Sequence, residues 1–345
     1  MNAIATLFAM LPFLVVIFLA NVAERDRSVR ILVYLCLALL NGLLIVVGLF
    51  SLAGAALIGS QAFSDALRQQ YPSVEPSQLR AARFDLAGLA LMGSASLAMI
   101  ILLPPARRVA ARVLPLRAES SVHATALSLT ATTFGVNLFQ MLALSPLLFA
   151  VTATEQGVRQ IQQMGGVSYL DVLVFPLLTF VIAALLGVGL YTRRNQAETL
   201  ARLGLARPTP RDLAIAAGVT VALIGMAALT ERAWQALDPD GLRRVGGLSK
   251  ALMGNFTGLA GALAVGFAAA IGEETFFRGA YQPRMGILLT SLLFTSFHVQ
   301  YGITPATLLV LAMSVILGLL RRHTSLTVCL LVHFFYNFSV VLLAT

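Results

Sequence analysis

The sequence predicts an all-α polytopic membrane protein, a bundle of about ten transmembrane helices around an intramembrane polar cavity. Three observations predict it. Of the 345 residues, 58% are apolar and only 11% charged, and the mean hydropathy is +0.86, far from the composition of a water-soluble domain. Apolar runs of about 20 residues, the length a helix needs to cross the hydrocarbon layer, recur along the whole chain. The basic residues fall mostly in alternate connections between those runs.

Taken in order, the expected spans are 3–22, 31–58, 85–105, 122–152, 170–191, 212–230, 254–277, 285–299, 306–320 and 325–344. No basic residue precedes the first, and Arg25, Arg27 and Arg30 follow it, the reverse of a cleavable secretory signal. It is expected to remain as an anchor with its N-terminus outside. The connections at 23–30, 106–121, 192–212, 273–285 and 321–324 then become cytoplasmic and hold 16 of the 24 Lys and Arg. Seven of the other 8 lie in the long connections 60–84 and 231–253, where charge has less influence on orientation. The net charge of +9 is therefore explained by topology, and nucleic acid is not expected as a partner. The expected setting is a bacterial plasma membrane.

Cys36 and Cys329 both sit inside apolar runs, which supports neither a disulfide framework nor a zinc-cysteine site. The connection RLGLARPTPRDL, 202–213, carries Pro208, Pro210 and a helix-starting Asp212, and marks a boundary between residues 1–200 and 201–345. The segment 231–250 mixes Trp234 and leucines with charges, so it is expected either as an amphipathic piece on the membrane surface or as a solvated loop. The spans 285–299 and 306–320 are short, as spans that border a water-accessible cavity tend to be.

Ionisable side chains at membrane depth cost a few kcal/mol on insertion scales of about 2.5 to 3.5, so they face a protein interior and have a task. The last third of the chain concentrates them: Glu273, Glu274 and Arg278, then His298, then His333 and Asn337. Glu274 and Arg278 are four apart and share a helix face as a self-neutralising pair, whereas Glu273 points away. His333 and Asn337 share the same spacing. Counted at about 1.5 Å per residue from Arg284 and Arg322, Glu273 and His333 lie roughly 16 Å deep, and His298 and Asn337 roughly 21 to 22 Å. A carboxylate and a histidine near one water can take its proton, and an imidazole and a carboxamide can donate hydrogen bonds to a developing oxyanion. Asn41, Asn137 and Gln140, inside apolar spans, are expected to bond helix to helix. His123 and His323 are expected to be solvated.

Glu273-Glu274-x-x-x-Arg278, Phe294-x-x-x-His298 and His333-x-x-x-Asn337, in this order on successive spans, resemble the three motifs of the CPBP family (CAAX protease and bacteriocin-processing, also called Abi). That family includes the type II CAAX prenyl endopeptidases. The resemblance covers roughly residues 200–345 and implies a CPBP-like catalytic core over 201–345, with residues 1–200 unassigned. It further implies a membrane-embedded glutamic endopeptidase without a metal, acting on a membrane-associated protein or peptide in the cytoplasmic half of the bilayer. Glu273 and His298 would activate water, His333 and Asn337 would form the oxyanion hole, and Glu274 and Arg278 would position the assembly.

Two other functions fit the same side chains. Glu273, His298 and His333 could supply three ligands of a catalytic zinc, although no HExxH pattern is present. A transporter or an immunity-type binding protein could use the buried Glu, His and Arg as a proton or ligand path, but no inverted repeat is detectable.

Overall fold

The computed structural model describes residues 3–70, 82–163 and 168–343, and so leaves outside it residues 71–81 of the expected connection 60–84. The described residues form an all-α polytopic membrane fold without strands. Its helices are α1 (Ala3–Val22), α2 (Arg27–Gly59), α3 (Gln61–Gln70), α4 (Phe84–Ile101), α5 (Pro104–Ala110), α6 (Ser121–Val151), α7 (Glu155–Gln163) and α8 (Asp171–Val188). The chain continues through α9 (Gln196–Leu203), α10 (Pro210–Leu237), α11 (Pro239–Met253), α12 (Gly258–Ala269 with its continuation Ala270–Tyr281), α13 (Gln282–Ser296), α14 (Pro305–His323) and α15 (Leu326–Leu343).

Eight helical runs among the described residues are long and apolar enough to cross a membrane, where about ten spans were expected. The difference has two sources. Of α1, Ala3–Val22, which coincides with the expected span 3–22, only Met10–Val22 is counted, as a shorter apolar helix outside the eight, and the expected spans 254–277 and 285–299, which Gly286 separates, are counted together in the run Gly258–Ser296. The charged stretch 273–285 is thus not the loop its composition suggested. Glu274 and Arg278 are fully buried and 3.0 Å apart, so they neutralise each other and the helix continues through them. The run turns instead at Gly286, whose φ of 74° and ψ of 170° lie where a side chain is strongly disfavoured.

Side chains such as Leu39, Phe50, Val221 and Leu308 are largely exposed, as expected of a surface that meets lipid rather than water. Hydrogen bonds join the helices within: Thr132 Oγ1 donates to Asn41 Oδ1 over 2.9 Å, and Asn137 Nδ2 to Ser296 Oγ over 3.1 Å. Asn41 and Asn137 are therefore the interhelical links expected of them. Segment 231–250 does not form a loop; it continues α10 and starts α11, which buries Val245, Leu248 and Ala251 on one side.

The connections expected on one side of the membrane meet at one end of the bundle. Ser120 Oγ donates to Glu24 over 2.5 Å, Arg321 Nη2 to the Leu203 carbonyl over 3.1 Å, and Leu326 N–H to the Gly204 carbonyl over 2.9 Å. That common basic end is what alternating spans require.

Candidate active site

Three elements converge on one cavity. Ala270–Tyr281 winds as a π-helix, a wide turn that neighbouring helices must stabilise and that recurs at functional sites. It carries Glu273 to the cavity wall and keeps Glu274 and Arg278 behind it. His298 follows α13 at a non-helical residue (φ −90°, ψ 50°), before the short 3₁₀ turn Val299–Tyr301. His333 and Asn337 project from α15. Glu273, His298, His333 and Asn337 all line this cavity, about 760 Å³ including its opening, with Phe294, Tyr301 and Tyr336 beside them. Leu223, Leu309, Met313 and Leu317 supply its apolar side.

Behind the wall runs a continuous polar chain. Arg278 Nη2 donates to Ser314 Oγ over 2.9 Å and Nη1 to Glu274 Oε1 over 3.0 Å, while the same Glu274 oxygen lies 2.7 Å from His333 Nδ1. Arg278 also stacks over the Phe294 ring, its Cζ 4.5 Å from the ring centroid. His333 is therefore held by Glu274, and its Nε2 points toward Glu273 Oε2 at 3.9 Å. Glu273 is the more open carboxylate, its side chain 19% exposed against 0% for Glu274.

His298 is oriented differently. Its Nδ1 lies 3.1 Å from the Phe294 carbonyl, and since a carbonyl only accepts, this bond puts the proton on Nδ1 and leaves Nε2 of the neutral ring as an acceptor. The ring stacks on Tyr301 at 14° and packs against Phe294.

The structure thus brings together every site residue expected from the sequence, in two tiers: four on the cavity wall and the Glu274–Arg278 pair behind it. Sequence reasoning missed Ser314, Tyr301 and Tyr336. Ser314 was visible as a polar residue inside an apolar span, and Tyr301 and Tyr336 adjoin motif residues. Among the described residues no group of three His, Cys, Asp or Glu side chains is arranged to hold a metal ion. His123, expected to be solvated, is buried and accepts the Arg117 N–H over 2.8 Å.

These features define a multi-pass integral membrane protein with an ionisable site enclosed between helices. Residues 255–339, about a quarter of the chain, match the family model for type II CAAX prenyl endopeptidase Rce1-like proteins, in agreement with the resemblance to the CPBP family carried by the motifs. No curated protein and no solved structure matches the chain.

Proposed function

We propose that this protein is a glutamic-type intramembrane endopeptidase that hydrolyses a peptide bond of a membrane-associated protein, with a prenylated CAAX-type C-terminus as the substrate class. The observation that carries the reading is the single cavity shared by Glu273, His298, His333 and Asn337, inside the segment that matches the prenyl endopeptidase family model.

In the proposed reaction a water held between Glu273 and His298 loses a proton to one of them, and its oxygen attacks the scissile carbonyl carbon. The carbonyl oxygen becomes an oxyanion and accepts hydrogen bonds from Asn337 Nδ2 and His333 Nε2. His333 already directs Nδ1 at Glu274, so it can donate from Nε2 only as the imidazolium. In that form Glu273, Glu274, Arg278 and His333 sum to zero charge, the balance a low-dielectric interior tolerates. The C–N bond then breaks as the proton taken from water passes to the leaving nitrogen, giving a carboxylic acid and an amine. The apolar side of the cavity, with Leu309 and Met313, would receive the hydrophobic part of the substrate. The reaction as proposed uses no metal, and insensitivity of the purified protein to a chelator is the corresponding expectation.

The test compares membranes containing wild-type or Glu273→Ala protein by mapping new protein termini. Cleavage products that require Glu273 support the reading, and full activity of Glu273→Ala ends it. His298→Ala and His333→Ala are expected to be equally inactive.

A further inference from the structure

A second cavity, about 1070 Å³ including its mouth, lies on the other face of Ala270–Tyr281. Glu273 faces the first cavity, while Phe276, Ala280 and Tyr281 face the second. Its mouth, at the basic end of the bundle, gathers Arg117, Arg193, Arg194, Arg202 and Arg284. Its floor is mainly apolar, with Leu129, Leu293, Met285 and Phe297, and also carries Thr130, Thr133 and Tyr281.

Five guanidinium groups around one opening repel one another unless an anion joins them. Among the described residues none of the five forms an ion pair with a carboxylate. Glu24, whose charge acts on Arg193, is already held by Ser120 Oγ, Ser121 Oγ and the Val122 N–H at 2.5 to 3.2 Å. Arg202 spends one donor on the Gly279 carbonyl at 3.3 Å, and Arg194 one on the Val188 carbonyl. The side chains of Arg117 and Arg284 make no hydrogen bond or ion pair among the described residues, and Arg193 Nε is buried without a partner. Burial first, then the charges of Arg284, Arg194 and Arg321, hold the Arg202 guanidinium down at about 10. Glu24 offsets part of the charge at Arg193, and the site retains more positive charge than the chain offsets.

We propose that this cavity binds an anionic phospholipid, its phosphate among the five arginines and one hydrocarbon chain on the apolar floor beside Leu129, Leu293 and Phe297. The arginines meet the phosphate by charge and by paired N–H donors, and their position at the end of the bundle is the level of the headgroups. A free phosphate would satisfy the mouth and leave the floor unused, so the apolar floor is what favours the lipid.

The experiment uses the full-length protein in detergent and measures retained lipid by native mass spectrometry, with phosphatidylglycerol, phosphatidylcholine and inorganic phosphate as separate probes. Phosphatidylglycerol is expected to be retained about tenfold or more over phosphatidylcholine. The double variant Arg117→Gln with Arg284→Gln removes charge without breaking an internal hydrogen bond, and should lower that retention about tenfold. Arg322→Gln, an exposed charge at the same end but outside the cavity, should leave it unchanged. Ala126→Trp, which fills the floor and spares the arginines, should also abolish retention of phosphatidylglycerol. Each variant is compared at equal monodispersity and equal thermal stability in lipid-free detergent, and Arg117→Lys with Arg284→Lys stands in if the glutamine pair fails that standard, with a smaller fall expected. Equal retention of the two lipids, indifference to the arginine substitutions, or displacement of the lipid by inorganic phosphate with no effect of Ala126→Trp would overturn the proposal.

Discussion

His333 Nδ1 sits 2.7 Å from Glu274 Oε1, the same oxygen that accepts Arg278 Nη1 at 3.0 Å, and all three side chains are buried. One carboxylate oxygen therefore does two jobs. It neutralises a guanidinium sealed inside the protein, and it fixes the ring whose other nitrogen faces the cavity.

The first job predicts a stability effect. Arg278→Ala leaves Glu274 buried without its guanidinium partner and is expected to destabilise the protein by about 3 to 5 kcal/mol, as breaking a buried pair does. The double variant Glu274→Gln with Arg278→Met should recover part of that loss. Denaturant or thermal unfolding of the purified protein in detergent measures both.

The second job predicts a kinetic effect separable from folding. Glu274→Gln keeps the shape of the side chain but removes the charge that orients His333, and proteolysis should fall by about 10² or more, by analogy with loss of the orienting carboxylate in other His-based sites. The fall should lie in kcat more than in KM.

Asn337 lines the cavity without belonging to the chain behind it. Asn337→Ala should lower kcat by roughly 10² to 10³, the effect of removing one oxyanion donor, and leave the unfolding midpoint close to wild type. A large loss of stability would instead assign Asn337 a packing role.

Gly272, the residue before Glu273, faces Pro176 of α8. A Cβ there would lie 2.7 Å from both Pro176 Cβ and the Pro176 carbonyl oxygen, and backbone cannot step aside as a flexible side chain can. Gly272→Ala should cost about 1 to 3 kcal/mol and also impair cleavage by displacing Glu273, as unfolding and turnover assays would show.

Glu24 lies at the basic end of the bundle. Burial would raise its pKa, but hydrogen bonds from Ser120, the Val122 N–H and Ser121, with the charge of Arg193, overcome that and lower it below the usual carboxylate value. A lowered folded-state value means that the ionised form adds stability above the unfolded-state pKa and loses it as pH falls through the folded-state pKa. Glu24→Gln should therefore be less stable than wild type at neutral pH, and the gap should close in acid. Unfolding midpoints of both proteins across pH 3 to 7, roughly the range in which carboxylates titrate, check the sign.

The wall residues were legible because each breaks an apolar run: a lone Glu273, His298 or Asn337 at membrane depth announces an enclosed site. The pairing behind the wall was not legible. Four-residue spacing assigns Glu274 to Arg278 within one helix, and no local pattern shows that His333, 59 residues later, shares the same oxygen. The same limit applies to the charged stretch before Gly286. A stretch holding Glu273, Glu274 and Arg278 has the composition of a loop, and the distant partners Ser314 and His333 satisfy Arg278 and Glu274 where they are buried in the helix. His123 misled in the opposite sense, since its place at the start of α6 suggested water while the Arg117 backbone folds over it.

The π-helical segment is also tied to the first half of the chain. Thr130 and Tyr281 share a hydrogen bond of 2.6 Å, Asn137 bonds Ser296, and Ser145 Oγ donates to the Val299 carbonyl over 2.7 Å, one residue after His298. All three partners come from the single helix α6. A chain cut down to residues 201–345 would keep every motif and lose these three hydrogen bonds to α6.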